Sequence, residues 1–97
     1  VRYAAKVDRI QNEVVEALRR AGVSVQPLHT VGKGCPDLLC GFRGVNLVLE
    51  CKDGELPPSR RTLTPEQVRW HADWRGQVAV VESIEAALDA VFGPAAA

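Results

Sequence analysis

Apolar side chains recur along this chain at two different periods, and the switches between them mark out the elements. From about Tyr3 to Ala21, the residues Val7, Ile10, Val14, Ala17, Leu18 and Ala21 fall on one stripe of a helix. Gly22 follows where a C-cap glycine is expected. Val23 to Val31 reads as a strand, Gly32-Lys33-Gly34 as a loop, and Asp37 to Phe42 as a second strand led in by Cys35-Pro36. Arg43-Gly44 is a tight-turn candidate. Val45 to Lys52 is a third strand, apolar on both faces until Glu50, which predicts a central position.

Asp53 to Leu63 carries Gly54, Pro57, Pro58 and Ser59 and reads as a loop. Thr64-Pro65-Glu66-Gln67 opens a second helix, with Thr64 as N-cap, Pro65 at the first helical position and Gln67 completing a capping box. Gly76 is expected to stop it. Gln77 to Glu82 is a fourth strand, and Ser83 caps a last helix from Ile84 to Phe92. The order α-β-β-β-α-β-α predicts an α/β fold with a mixed central sheet flanked by helices, one domain over residues 1–97.

The hairpin gives the pattern its chemistry. With Arg43-Gly44 at the tip, Phe42 faces Val45, and stepping back along both strands brings Asp37 opposite Glu50. Opposed side chains of an antiparallel pair share a face, and like charges so placed destabilise the sheet. A divalent cation offsets that repulsion, and oxygen ligands suit Mg²⁺ or Mn²⁺. Alternation puts Lys52 on the same face as Glu50 and sends Cys51 to the other. Two acids, a cation and a lysine on one face make a device for phosphodiester hydrolysis, with the Cys51 carbonyl as a further ligand candidate. Taken singly, each motif has a plain structural reading: a strand end reaching solvent for Glu50-Cys51-Lys52, a turn for Pro36-Asp37.

Charge and cysteine content narrow the rest. The net charge is zero, so bulk basicity is not what would hold a nucleic acid. The three cysteines have no disulfide-framework spacing. A zinc site from Cys35, Cys40, Cys51 and His29 or His71 lacks knuckle spacing. No apolar run is long enough to span a bilayer, and Arg2, Lys6, Asp8 and Arg9 break any signal-like start. The expectation is a cytoplasmic protein with no membrane partner. The chain has no methionine, so as given it lacks its initiator.

Pro36-Asp37 followed by Glu50-Cys51-Lys52 resembles the signature of the PD-(D/E)XK nuclease superfamily. The run Gly34-Cys35-Pro36-Asp37-Leu38, the run Glu50-Cys51-Lys52-Asp53-Gly54, and Leu63-Thr64-Pro65-Glu66-Gln67 with Trp70 and Trp74 are similar to short, stand-alone, phage-type members of the VRR-NUC group. The resemblance implies divalent-metal-dependent DNA cleavage, on Holliday junctions or other structured DNA, and a phage- or prophage-encoded gene in a bacterial host. It implies a further acidic residue on the first helix, for which Glu13 is the candidate, about 90° from the centre of the apolar stripe. It also implies a polar residue near the site on the second helix, for which Gln67 is the candidate beside its capping role. Lys33, Arg60, Arg61 and Arg69 are candidate phosphate contacts. Trp70 and Trp74 share a helix face and read as core packing or a subunit interface before base stacking. Cutting both strands suits a two-fold homodimer. The competing readings are a general or nicking DNA endonuclease and an inactive DNA-binding module on the same fold.

Overall fold

The computed structural model describes residues 9–93. It contains α1 (Arg9–Arg20), β1 (Ser24–Pro27), β2 (Leu38–Phe42), β3 (Val45–Cys51), a 3-10 turn (Pro58–Arg60), α2 (Pro65–Asp73), β4 (Val78–Val81) and α3 (Ile84–Phe92). The element order is the one the sequence predicts. The part of the first helix expected before Arg9 lies outside the described residues. Among those residues, no helix is long and apolar enough to cross a membrane.

The strands form one mixed sheet in the order β1-β2-β3-β4. The first three are antiparallel neighbours, and β4 runs parallel to β3 after the α2 crossover. The hairpin turn has positive φ at both central residues, 52° at Arg43 and 79° at Gly44, the combination that a two-residue turn needs to match strand twist. Phe42 therefore pairs with Val45 and Leu38 with Leu49, the expected register.

The α1 stripe supplies Ile10, Val14 and Leu18 to a core completed by Leu38, Cys40, Leu49, Cys51, Val81 and Ala87. Fully burying a leucine such as Leu49 contributes about 2–3 kcal/mol. Helix α3 packs on α1 and β4. Helix α2 buries none of its residues fully, and its first turn faces the end of β3.

Several boundaries differ from expectation. Strand β1 stops at Pro27; Leu28 N–H still bonds across to the Asp37 carbonyl, and the chain then turns, with Val31 N–H bonding to the Leu28 carbonyl. Helix α2 ends at Trp74, which is extended at ψ 126°, and not at Gly76. The Trp74 ring stacks on Trp70 at 4.6 Å, and a Cβ on Gly76 would sit 2.9 Å from the Trp74 indole nitrogen. The glycine thus makes room for the indole and does not cap the helix. The second and third strands each begin or end one residue short of the prediction, leaving Asp37 and Lys52 just outside the ladder.

Candidate active site

Asp37 and Glu50 meet where β2 begins and β3 ends. Extending the observed register by one step sets them opposite each other. The Asp37 carbonyl accepts from Leu28 N–H at 2.7 Å, and its Oδ2 accepts from Cys51 N–H at 2.8 Å. The second bond carries the hairpin one residue past its last ladder pair and fixes the carboxylate against β3. Glu50 is 2% exposed. Alternation turns it away from Leu49 and Cys51, which enter the core.

Lys52 lies on the Glu50 side. Its Nζ is 3.9 Å from Glu50 Oε2 and donates to Gln67 Oε1 at 3.0 Å. Gln67 Nε2 in turn donates to Glu50 Oε2 at 3.3 Å. The same Oε1 accepts from Thr64 N–H at 2.9 Å, while Thr64 Oγ1 accepts from Gln67 N–H at 3.2 Å. The helix cap and the site therefore share one side chain. The carboxamide that satisfies the first turn of α2 also bridges the lysine and the buried acid.

These groups line a cleft of about 470 Å³ at the end of the sheet. Lys33 and Arg60 stand at its rim, both exposed. Lys33 has φ 57° between Gly32 at 79° and Gly34 at 82°, a left-handed run that a lysine adopts seldom. Gly34 packs against the Glu66–Gln67 peptide, so the loop before Asp37 and the first turn of α2 are in direct contact.

Cys35 also lines the cleft. Burial, Glu50 and Asp37 push its thiol pKa up, so it stays a neutral thiol. Cys40 sits in the core, its thiol raised to about 11 by burial. Among the described residues, no three of His, Cys, Asp and Glu converge as metal ligands, which leaves the zinc reading without a site. The acidic residues that line the cleft are Asp37, Glu50, Asp53 and Glu66.

Three candidates fall elsewhere. Glu13 is outside the cleft, paired with Arg9 at 2.9 Å in a separate hollow that Asp53 and Glu82 also line. The α1 residue that does line the cleft is Gln11, 6% exposed. Counted at 100° per residue, Gln11 lies about 70° from the stripe centre on the opposite flank, nearer than Glu13. The wheel is the sequence signal for it, and its side chain is a neutral amide where the resemblance implies an acid. Arg61 is not at the rim: its Nε donates to the Leu56 carbonyl at 2.7 Å and its guanidinium pairs with Glu82 at 3.1 Å. It braces the loop after β3 against the exit of β4. Arg69 is exposed on α2, outside the cleft.

His71 follows Gln67 by one helical turn. Its Nε2 is buried with no hydrogen-bond partner. Burial first, and then Lys52, lowers its pKa from the ordinary value of 6.5. The unfolded chain therefore binds this proton more readily than the fold does. The stability tied to the neutral imidazole is full above the ordinary pKa and is lost as pH falls below it. We expect the parent to lose more stability between pH 7 and pH 5 than His71→Leu does, read as urea midpoints at the two pH values. Equal losses in both proteins would remove this account.

No family model matches the sequence, and no curated protein matches it. The fold does match a solved structure described as a VRR_NUC domain, with a TM-score of 0.64. The two chains are 30% identical over an alignment covering 87% of this chain and 91% of that one. With that identity over nearly the whole of both chains, this protein belongs to the VRR-NUC domain family, whose fold is of the PD-(D/E)XK nuclease type.

Proposed function

We propose that this protein is a Mg²⁺- or Mn²⁺-dependent DNA endonuclease that cuts branched DNA of the four-way-junction class as a homodimer. The observation that carries the reading is the convergence of Asp37, Glu50, Lys52 and Gln67 on one cleft at the end of the sheet.

The donors fit a hard divalent cation. Two carboxylates meet at a hairpin end, one of them 2% exposed, with one lysine beside them. Carboxylates brought to one hairpin end repel each other, and a divalent cation offsets that repulsion. Two carboxylates and a carbonyl are too few to enclose the ion, which is the usual arrangement for Mg²⁺ completed by water and phosphate oxygens. Asp37, Glu50 and the Cys51 carbonyl would hold it. When bound, it polarises the phosphoryl oxygen and makes a water acidic enough to attack.

The chain's own residues do the rest. Lys52 presents its ammonium to the cleft, held by Gln67 and Glu50, where it orients the attacking water and offsets the negative charge that builds on the phosphorus. Gln67 limits where the ammonium can swing. Lys33 and Arg60 at the rim are suited to the flanking phosphates, with Arg69 a contact for DNA running along α2. Leu39, Val68, Trp74 and Val80 leave apolar surface exposed, and a second copy seated there would cover it and bring two clefts to one DNA.

A panel of labelled DNAs in Mg²⁺, Mn²⁺ or chelator tests the reading. The expected result is paired cuts in a four-way junction, dependent on metal and absent from Asp37→Asn, by a protein whose light-scattering mass is twice that of the chain. Equal cutting of linear duplex would favour a general or nicking endonuclease. Tight DNA binding without cleavage in either metal would mark an inactive binding module and overturn the proposal.

A further inference from the structure

Three successive residues on the cleft wall, Gly32, Lys33 and Gly34, have positive φ, at 79°, 57° and 82°. Cys35 N–H closes the turn on the Gly32 carbonyl at 3.1 Å. The result is a short helical turn of the left hand. As in any helical turn, the N–H groups at its start have no partner within it. Among the described residues, the N–H groups of Gly32, Lys33 and Gly34 meet no acceptor. Successive amides in such a turn make a concavity that binds anions. The turn is also braced. Leu28 N–H bonds to the Asp37 carbonyl at 2.7 Å and closes the neck of the loop, and Gly34 lies against the Glu66–Gln67 peptide of α2. Nothing lies within 4 Å of where a Gly32 Cβ would sit, so the outer side of the turn is open.

We propose that this turn is an amide site for one phosphodiester group of the bound strand, next to the phosphate that is cut, and that its peptide N–H groups hold that group even without the Lys33 ammonium. This rests on the reading of the cleft as a site of DNA cleavage. The reasoning is one of charge. Among the described residues, four carboxylates line the cleft, against the cations Lys33, Lys52 and Arg60. Without a metal, those side chains offer an approaching strand no net attraction. Peptide donors attract an anion and form no ion pair with a neighbouring carboxylate. The donors of this turn are fixed before the strand arrives, by Gly34 on α2 and by the closed neck, so using them costs little ordering. The turn ends three residues ahead of Asp37, which sets the held phosphate beside the one that Asp37 and Glu50 serve. The Lys33 ammonium adds attraction, but on a long flexible stem it does little to fix position.

A short-armed four-way junction, held in chelator at low salt so that it is bound and not cut, is the probe. Each phosphate near the cut is replaced in turn by an uncharged methylphosphonate, and affinity is read by fluorescence anisotropy for the parent and for Lys33→Gly. That variant loses the ammonium and keeps the N–H and the left-handed backbone. One position is expected to cost the parent about tenfold or more in affinity, the scale of a lost hydrogen bond to a charged group, and still to cost Lys33→Gly about threefold or more. By NMR of the isotope-labelled parent, the amide protons of Gly32, Lys33 and Gly34 are expected to move downfield on adding the junction, and to stay in place when that one phosphate is a methylphosphonate. Both results are required. If the penalty vanishes in Lys33→Gly, the ammonium does the holding. If the three amide protons do not move, another group does. Either outcome overturns the inference while the cleavage reading stands. A parent that cuts DNA with metal but binds no junction without it also overturns the inference, since fixed donors need no metal. Inorganic phosphate that shifts the three amides at the same micromolar concentration would mark a site for free phosphate, with the same consequence. If the parent cuts no DNA in Mg²⁺ or Mn²⁺, the underlying reading fails and the inference fails with it.

Discussion

Glu50→Gln is expected to abolish cleavage while leaving the metal-free protein at least as stable as the parent. The two effects have one cause. Glu50 is a carboxylate at 2% exposure facing a second carboxylate across the hairpin, with the Lys52 ammonium at a long 3.9 Å. Neutralising it relieves repulsion and desolvation together, and the isosteric amide keeps the shape of the pocket. The same change removes one of two anionic ligands, so turnover should drop by at least ~10³-fold, equivalent to about 4 kcal/mol in the barrier. Lys52→Ala should match that loss of activity with the opposite sign in stability. It strips Glu50 of its cationic neighbour and leaves a buried carboxylate less compensated, at a cost of about 1–3 kcal/mol. Cleavage rates and melting temperatures of the metal-free proteins, taken side by side, check the pair. A Glu50→Gln protein that melts well below the parent, or still cuts DNA, would mean that this carboxylate serves the fold and not the reaction.

That pair of expectations could be framed from the sequence because the hairpin is a local object. Arg43-Gly44 fixes the turn, the turn fixes the register, and the register alone sets Asp37 against Glu50. The capping box was legible for the same reason, since Thr64 and Gln67 are three residues apart and bond to each other. The double use of Gln67 was only half legible. Its contact with Lys52 joins residues from two elements, and only the family resemblance suggested it. What stays hidden in the sequence is long-range. Arg61 looks like any exposed basic residue in a Pro-rich loop, and nothing local says that Glu82 waits for it. Glu13 carries the charge that the resemblance implies. Its partner Arg9 is a neighbour on the same helix, but that Gln11 instead faces the cleft depends on how α1 sits on the sheet. Strand β1 is shorter than its pattern suggests because Leu28-His29-Thr30-Val31 fits a strand or a turn equally well.

The approach of Gly34 to α2 was equally hidden, and it carries the second large effect. An ideal Cβ on Gly34 would lie 2.4 Å from the Glu66 carbonyl oxygen, 2.6 Å from its carbon and 3.0 Å from Gln67 N. All three atoms are backbone, so no side chain can swing aside. At φ 82° the residue is also left-handed. Gly34→Ala must therefore push the loop and the first turn of α2 apart. Together, strain and overpacking should cost about 2–4 kcal/mol. The functional loss should exceed what instability explains. The turn that moves is the one that holds Gln67 against Lys52 and Glu50, and a shift of about 1 Å in a positioned group costs on the order of 10²-fold in rate. Gly32→Ala is the matched control. It has nearly the same φ, 79°, but nothing within 4 Å of its Cβ. It should lose only the strain, about 1 kcal/mol, and cut DNA much as the parent does. Denaturant midpoints and cleavage rates of the two variants decide the matter. If they behave alike in both, left-handed strain accounts for everything, and the contact between Gly34 and the Glu66–Gln67 peptide is not what holds the glutamine on the lysine.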